Sequence, residues 1–135
     1  MATIKSKYLG NLRVESQHIA SGATLVTDAP VDNHGKGEAF SPSDLACAAL
    51  GSCAMTIMGI AAQKLGLDLS GATVDITKTM NANPRRIARI ELVFNISGVN
   101  LLAQRLELEK AADTCPVCLS LGPETEQVFK FNWLE

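Results

Sequence analysis

The sequence predicts an α+β fold in which an antiparallel sheet packs against one central apolar helix, in the order strands, helix, strands, helix, strand. Three observations predict it. Short segments of alternating polarity flank a long uncharged run, that run has helix start and end signals, and a more polar helical segment precedes the final strand. The 135 residues, of which 47% are hydrophobic and 19% charged, are expected to form one domain over residues 1–135 with a buried core.

The first part of the chain has the pattern of short strands joined by turns. Strands are predicted at residues 3–8, 13–18 and 24–27, with turns at Gly10-Asn11 and at residues 20–22. Residues 29–40 hold one proline, one asparagine and two glycines within a polar stretch. They are expected to form a long loop, and loops of that length often carry function.

The central helix has clear start and end signals. Ser41 is a good N-cap, Pro42 suits the first helical position, and Asp44 stands where the acid of a capping box belongs. The helix is expected to continue to about Lys64, with Gly66 ending it.

The rest of the chain alternates again between extended and helical patterns. The predicted elements are a strand at 74–80, a turn at 81–84, a strand at 87–96, a helix at 101–113, a short helix from Pro116 through Leu121, and a strand at 128–133.

Charge and composition exclude several classes of partner. Twelve basic and 14 acidic residues give a net charge of −2, with Arg85-Arg86 as the strongest basic cluster, and aromatic residues make up only 4%. Nucleic acid is therefore not an expected partner, because phosphate binding needs a basic patch and base stacking needs aromatic side chains.

A membrane partner is not expected either. Residues 45–62 are uncharged and long enough to span a bilayer, but their many small and weakly polar side chains favour a buried core helix. The first ten residues contain no apolar run that would indicate an export signal, so a cytoplasmic location is expected. In a reducing compartment, cysteines are more often catalytic, metal-binding or buried than structurally cross-linked.

The four cysteines leave several interpretations open. Cys47 and Cys53 lie six positions apart on one helix, about 240° around its axis, so they cannot easily share a metal ion. Cys47 is interpreted as a core residue, and Cys53 is either a core thiol or a reactive one. Cys115 and Cys118, in the sequence CPVC, have the spacing of an exchangeable dithiol or, less favoured, of a zinc site completed by a histidine. The third interpretation is that the two cysteines have no function and stand at the end of a helix that the proline interrupts.

Peroxide reduction is a reaction that such thiols can perform. It requires a thiolate that attacks a peroxide oxygen, a positive group that stabilises the thiolate and the leaving oxygen, and a second thiol that converts the resulting sulfenic acid to a disulfide.

Several segments resemble one family that performs this reaction. SPSDLACAALGSCAMTIM resembles the central-helix signature of the OsmC/Ohr family, and ADTCPVC resembles its second cysteine motif. VDNHGKGEAFSPSDL and NPRRIARIE are similar to the OsmC-like branch. The resemblance covers nearly the whole chain, from about Tyr8 to the final strand.

The resemblance implies roles for individual residues. Cys53 takes the place of the peroxidatic cysteine, and Cys115 takes that of the resolving cysteine. Arg13, in YLGNLR, is similar to the family arginine that pairs with the reactive thiolate. Asp44 lies near the family's helix-start glutamate, which holds that arginine, and this role is compatible with helix capping. Cys118 is left open as a redox participant or an inert residue.

The resemblance also implies an activity and partners. Family members are intertwined homodimers that reduce organic hydroperoxides, and hydrogen peroxide less well, and are reset by dithiol reductants such as lipoyl-bearing proteins. No cofactor and no metal is implied. Ser43 and Ala54 depart from the best-studied hydroperoxide branch, which has glutamate and often phenylalanine there. A non-enzymatic thiol redox sensor or a small-ligand-binding dimer is therefore the alternative function.

The remaining polar candidates have weaker expectations. His18 is expected on a strand surface, His34 in the long loop, and Arg85-Arg86 on a solvated face. Lys36 and Glu38, in the long loop, could border the entrance to a site.

Overall fold

The computed structural model describes residues 1–135, which form two compact units, Met1–Ala46 and Cys47–Glu135. Each unit contains one three-stranded sheet. The expectation that residues 1–135 act as one domain stays a prediction.

The first unit is a small antiparallel sheet with the strand order β1-β2-β3. Its strands are β1 (Ile4–Gly10), β2 (Arg13–His18) and β3 (Thr24–Asp28). The predicted turn at Gly10-Asn11 is confirmed, and both residues have positive φ angles, 88° and 55°, which glycine and asparagine tolerate better than most residues. The three predicted strands are confirmed to within two residues at each end.

The loop that follows β3 closes back on the end of that strand. The backbone N–H of Asp28 donates to the carbonyl of Phe40 at 3.0 Å, and the N–H of Gly37 donates to the carbonyl of Ala29 at 3.2 Å. A single 3-10 turn, Val31–Asn33, lies inside it. The predicted long loop is thus confirmed as a compact segment held by its own backbone hydrogen bonds.

Helix α1 (Pro42–Lys64) begins and ends where its sequence signals predict. The N–H of Asp44 donates to Ser41 Oγ at 3.0 Å, and the N–H of Ser41 donates to Asp44 Oδ2 at 3.1 Å, which is a complete capping box. Gly66 follows the helix with φ of 72°, and the N–H of Leu67 bonds back to the carbonyl of Ala62 at 2.8 Å.

The second unit contains a three-stranded sheet of order β4-β5-β6 together with the helices that connect β5 to β6. Its further elements are β4 (Thr73–Ala82), β5 (Arg85–Ser97), α2 (Leu102–Ala112), α3 (Pro116–Ser120) and β6 (Glu126–Leu134). The predicted α+β architecture is confirmed.

One strand pairing differs from the wholly antiparallel sheet that the sequence predicts. Strands β4 and β5 are antiparallel, but β6 pairs parallel to β5, for example Leu92 opposite Phe129. The physical reason lies in the connection, because parallel neighbours need a long crossover and α2 with α3 supplies it. The strands also form two sheets rather than one.

The core of the second unit lies between one face of α1 and the alternate residues of β5. The fully buried side chains of β5 are spaced by two residues, as the strand pattern predicts. The buried hydrophobic residues are Cys47, Leu50, Ala54, Met58 and Ala62 from α1, Ile90, Leu92, Phe94 and Ile96 from β5, and Val99, Leu108, Ala112, Cys115 and Cys118.

Helix α1 is long and apolar enough to cross a membrane by length and composition. The five hydrophobic residues that it buries belong to the core of the second unit, and its Gly51 is also buried. It is therefore the core helix of this fold, as the sequence predicts.

Candidate functional site

Cys53 lies on α1 beside the buried stripe rather than within it. It is a free thiol with part of its surface exposed, and it packs against the hydrophobic core of the second unit. Cys47, six residues earlier on the helix, is buried at 3% exposure. The contrast follows from helical geometry, because a six-residue separation places the two thiols on different sides of the helix. Of the two cysteines of α1, Cys53 is the one whose thiol packs against apolar side chains and is still accessible to solvent.

Cys115 and Cys118 form a disulfide in the structure. This is a different pairing from the Cys53–Cys115 bond that the family resemblance implies, and the reaction of Cys115 with Cys53 stays a prediction. Both residues belong to the hydrophobic core against which Cys53 packs, with Cys115 fully buried and Cys118 8% exposed.

The CPVC turn is held by local hydrogen bonds. Cys115 is the N-cap of α3, and its Sγ accepts the backbone N–H of Cys118 at 3.2 Å. Gln127 of β6 donates from Nε2 to the carbonyl of Cys118 at 2.9 Å. Pro116, at the first helical position, starts the helix without a lost hydrogen bond. The sequence therefore folds locally so that both sulfurs lie on one short turn.

Arg13 lies in the first unit, where two acids surround its guanidinium. Its Nη1 is 3.7 Å from Asp28 Oδ2 and 3.4 Å from Glu38 Oε1. Asp28 is 1% exposed, and its Oδ2 also accepts the backbone N–H of Glu38 at 3.0 Å. The two carboxylates fix a positive group at the start of β2.

No pattern in the sequence identifies Asp28 as a site residue. It stands directly opposite Arg13 in the β2–β3 register. The signal that could have found it is that register, because opposite charges at a directly paired position attract each other across a hairpin. Glu38, which the sequence predicts to border the entrance to a site, contacts Arg13, and its place beside a site stays a prediction.

Asp44 has the structural role that its position predicts, since it completes the capping box with Ser41. Its further role as a holder of Arg13 stays a prediction. Arg13 and Asp44 belong to the first unit, whereas Cys53, Cys115 and Cys118 belong to the second. The pairing of Arg13 with the Cys53 thiolate also stays a prediction.

An apolar groove of about 330 Å³ lies between α1 and α2 within the second unit. Ile57, one turn after Cys53 on α1, lies at one side, and Thr114, which precedes Cys115, lies at another. Four of the lining residues are apolar and three are charged; the lining consists of Ile57, Ile60, Ala61, Lys64, Glu107, Lys110, Ala111 and Thr114. Its volume lies within the range of pockets that hold small molecules.

The other polar candidates have structural contacts. His18 Nδ1 lies 2.6 Å from Ser21 Oγ in the turn after β2, and His34 ends the 3-10 turn. Arg86 donates from Nη1 to the carbonyl of Glu124 at 2.9 Å, which ties β5 to the segment before β6. No group of three or more His, Cys, Asp or Glu side chains is arranged to hold a metal ion.

The perturbed titratable groups lie on the surface of the second unit. A hydrogen bond from Lys130 lowers the pKa of Glu91, and a hydrogen bond to Glu126 raises the pKa of Arg89. These side chains form an ion network across the parallel β5–β6 pair. The network supports the sheet and has no contact that would give it a role in thiol chemistry.

The chain is similar to known proteins over nearly its whole length. A family model described as OsmC-like protein matches residues 35–128. A crystal structure from Psychrobacter arcticus 273-4, provisionally described as that of an osmotic stress induced and detoxification response protein, is 39% identical. Its TM-score is 0.94, and the match covers 98% of this chain and 96% of that one.

More distant structures share the fold at low identity. An organic hydroperoxide resistance protein from Elizabethkingia anophelis is 17% identical with a TM-score of 0.76, covering 99% of this chain and 98% of that one. The organic hydroperoxide resistance protein OhrB of Bacillus subtilis is 14% identical with a TM-score of 0.69, covering 98% of both chains. No protein with a curated description matches the chain.

Proposed function

Because the chain belongs to the OsmC-like protein family, we propose that it is a thiol-dependent peroxidase that reduces organic hydroperoxides through Cys53. The observation that carries the proposal is the state of the cysteines in the second unit. Cys53 is a partly exposed free thiol packed against an apolar cluster, and that same cluster contains the Cys115–Cys118 disulfide. The names of two relatives of the same fold, both organic hydroperoxide resistance proteins, support a peroxide-related role.

The proposed reaction begins with the Cys53 thiolate. It attacks one peroxide oxygen, the O–O bond breaks, and the other oxygen leaves as an alcohol after it takes a proton. The peroxide gains two electrons, and Cys53 becomes a sulfenic acid. The thiol of Cys115 then condenses with this sulfenic acid, which releases water and forms a disulfide. A dithiol reductant, such as a lipoyl-bearing protein, returns two electrons and two protons.

Arg13 supplies the positive charge in this proposal. A cation beside a thiol favours the reactive thiolate and stabilises charge that develops on the leaving oxygen. The ion pairs of Arg13 with Asp28 and Glu38 support this role, because they hold the guanidinium in one orientation before substrate arrives. Asp44 contributes by fixing the start of the helix that bears Cys53.

The substrate class follows from the groove between α1 and α2. Four of its eight lining residues are apolar, which supports a preference for a hydroperoxide with an alkyl or aryl group over hydrogen peroxide. The groove begins one helical turn after Cys53, at Ile57. No cofactor is needed, because the cysteine sulfurs carry all the electrons that the reaction moves.

The proposal includes a homodimer that acts in the cytoplasm. The sheet of the first unit exposes several large hydrophobic side chains, which a second copy of the chain could cover; they are Ile4, Tyr8, Leu9, Leu12 and Leu25. A reducing compartment would supply the dithiol reductant that the cycle requires.

Replacement of Cys53 tests the proposal. In a Cys53→Ser variant, consumption of cumene hydroperoxide with dithiothreitol should fall to the rate without enzyme, because serine cannot form a sulfenic acid. Cys47→Ala is the matched control and should retain turnover, since Cys47 is a core residue. Circular dichroism of both variants checks that they are folded. Unchanged turnover in Cys53→Ser would exclude this function.

A thiol redox sensor is the second candidate function. The Cys115–Cys118 disulfide favours it, because a dithiol that opens and closes can report redox state without fast turnover. The two functions differ in the speed with which Cys53 reacts with peroxide, since a sensor does not require rapid catalysis.

A further inference from the structure

We propose that Cys118 is a second resolving cysteine, so that the oxidation captured by Cys53 ends in the Cys115–Cys118 disulfide. The inference rests on the proposed peroxidase activity of Cys53. One juxtaposition carries it: Cys115 is bonded to Cys118, while Cys53 is a free thiol at the edge of the same hydrophobic cluster. In the structure, the Cys115–Cys118 pair is therefore oxidised while Cys53 is reduced.

The surroundings of the CPVC turn support this role. The N–H of Cys118 points to Cys115 Sγ at 3.2 Å, and Gln127 holds the carbonyl of Cys118 at 2.9 Å. These bonds fix the backbone on which both sulfurs lie. In this arrangement the two sulfurs are bonded to each other, so the turn brings Cys118 within reach of Cys115.

The transfer step balances without an external oxidant. After Cys53 and Cys115 have formed a disulfide, the Cys118 thiol loses its proton to solvent and attacks Cys115 Sγ. The new Cys115–Cys118 bond forms as the Cys53–Cys115 bond breaks. Cys53 leaves with the electron pair as a thiolate, and no net electrons are gained or lost. Cys53 can then reduce a second peroxide before any reductant arrives.

The difference in exposure between the two sulfurs determines which of them the reductant attacks. Cys118 is 8% exposed and Cys115 is fully buried, so an incoming dithiol meets Cys118 first. Attack on Cys118 releases the Cys115 thiolate, which is placed to accept the Cys118 N–H. The reductant then closes its own disulfide with its second thiol, which frees Cys118. This places the reductant at the CPVC turn rather than at Cys53.

Peroxide stoichiometry without reductant tests the proposal. Fully reduced protein is titrated with cumene hydroperoxide, remaining thiols are alkylated, and disulfides are mapped by mass spectrometry. The wild type should consume about two equivalents and contain Cys115–Cys118 with an oxidised Cys53. Cys118→Ser should stop after about one equivalent as Cys53–Cys115. Excess peroxide should drive Cys53 to the sulfinic acid in the wild type only.

The outcomes separate this proposal from the function on which it rests. Consumption of about one equivalent by the wild type, with a Cys53–Cys115 bond and an alkylated Cys118, would overturn the transfer step alone. No peroxide consumption would remove the peroxidase itself. Cys47→Ala is the matched cysteine control and should match the wild type. If Cys118→Ser does not fold, Cys118→Ala and the wild-type disulfide map decide the question.

Discussion

Asp28, at the end of β3, is the buried acid around which Arg13 and the following loop are arranged. Its Oδ2 accepts the N–H of Glu38 at 3.0 Å and lies 3.7 Å from Arg13 Nη1. Loss of one member of such a buried set leaves the remaining polar groups without partners. We therefore expect Asp28, rather than the more exposed Glu38, to determine how firmly Arg13 is held.

Replacement of each acid separates their contributions. Asp28→Ala should destabilise the protein by about 1–3 kcal/mol, because it removes the buried carboxylate that accepts the Glu38 N–H and pairs with Arg13. Glu38→Ala, the matched control, should change stability by less than about 1 kcal/mol, since its side chain is 60% exposed. Urea unfolding of both variants measures the difference. Equal effects of the two replacements would contradict the central place of Asp28.

At the scale of elements, α1 approaches β4 closely because Gly51 has no side chain. A Cβ at Gly51 would lie 2.5 Å from Cδ1 of Ile76, whereas a Cβ at Gly59, two turns later, would meet nothing within 4 Å. The helix that bears Cys53 is thus packed tightly near that residue and more loosely toward its end.

Alanine at these two glycines measures the tightness of that packing. Gly59→Ala should stabilise the protein by about 0.5–1 kcal/mol, because alanine is the better helix former. Gly51→Ala should be less stable than Gly59→Ala by at least about 1 kcal/mol, since Ile76 must move to admit the new methyl group. Thermal or urea unfolding measures the stability of both variants. If both alanines stabilise the protein equally, α1 has room to shift on the sheet, which would contradict the tight packing at Gly51.

For the whole molecule, local signals in the sequence predict most of the elements. The strands and helices begin and end within two residues of their predicted positions, and the Ser41–Asp44 capping box forms as expected. These features depend on residues that are near each other in sequence. The α+β architecture follows from them because a helix with this composition needs an apolar sheet to cover it.

Features that depend on distant residues could not be predicted in the same way. The parallel direction of β6 depends on how α2 and α3 cross the sheet, and the role of Asp28 depends on the β2–β3 register. The family resemblance selects Cys53 and Cys115, but it does not predict that Cys115 is bonded to Cys118. That pairing is set by the CPVC turn and its contact with β6.

The rate at which peroxide oxidises Cys53 decides whether the protein is a peroxidase. Reduced Cys115→Ser protein, in which no resolving thiol removes the sulfenic acid, is mixed rapidly with cumene hydroperoxide, the sulfenic acid is trapped with dimedone, and the Cys53 peptide is quantified by mass spectrometry. We expect a rate at least about 10²-fold above that of free cysteine, the effect that a well-placed charge provides. A rate equal to that of free cysteine would contradict this expectation.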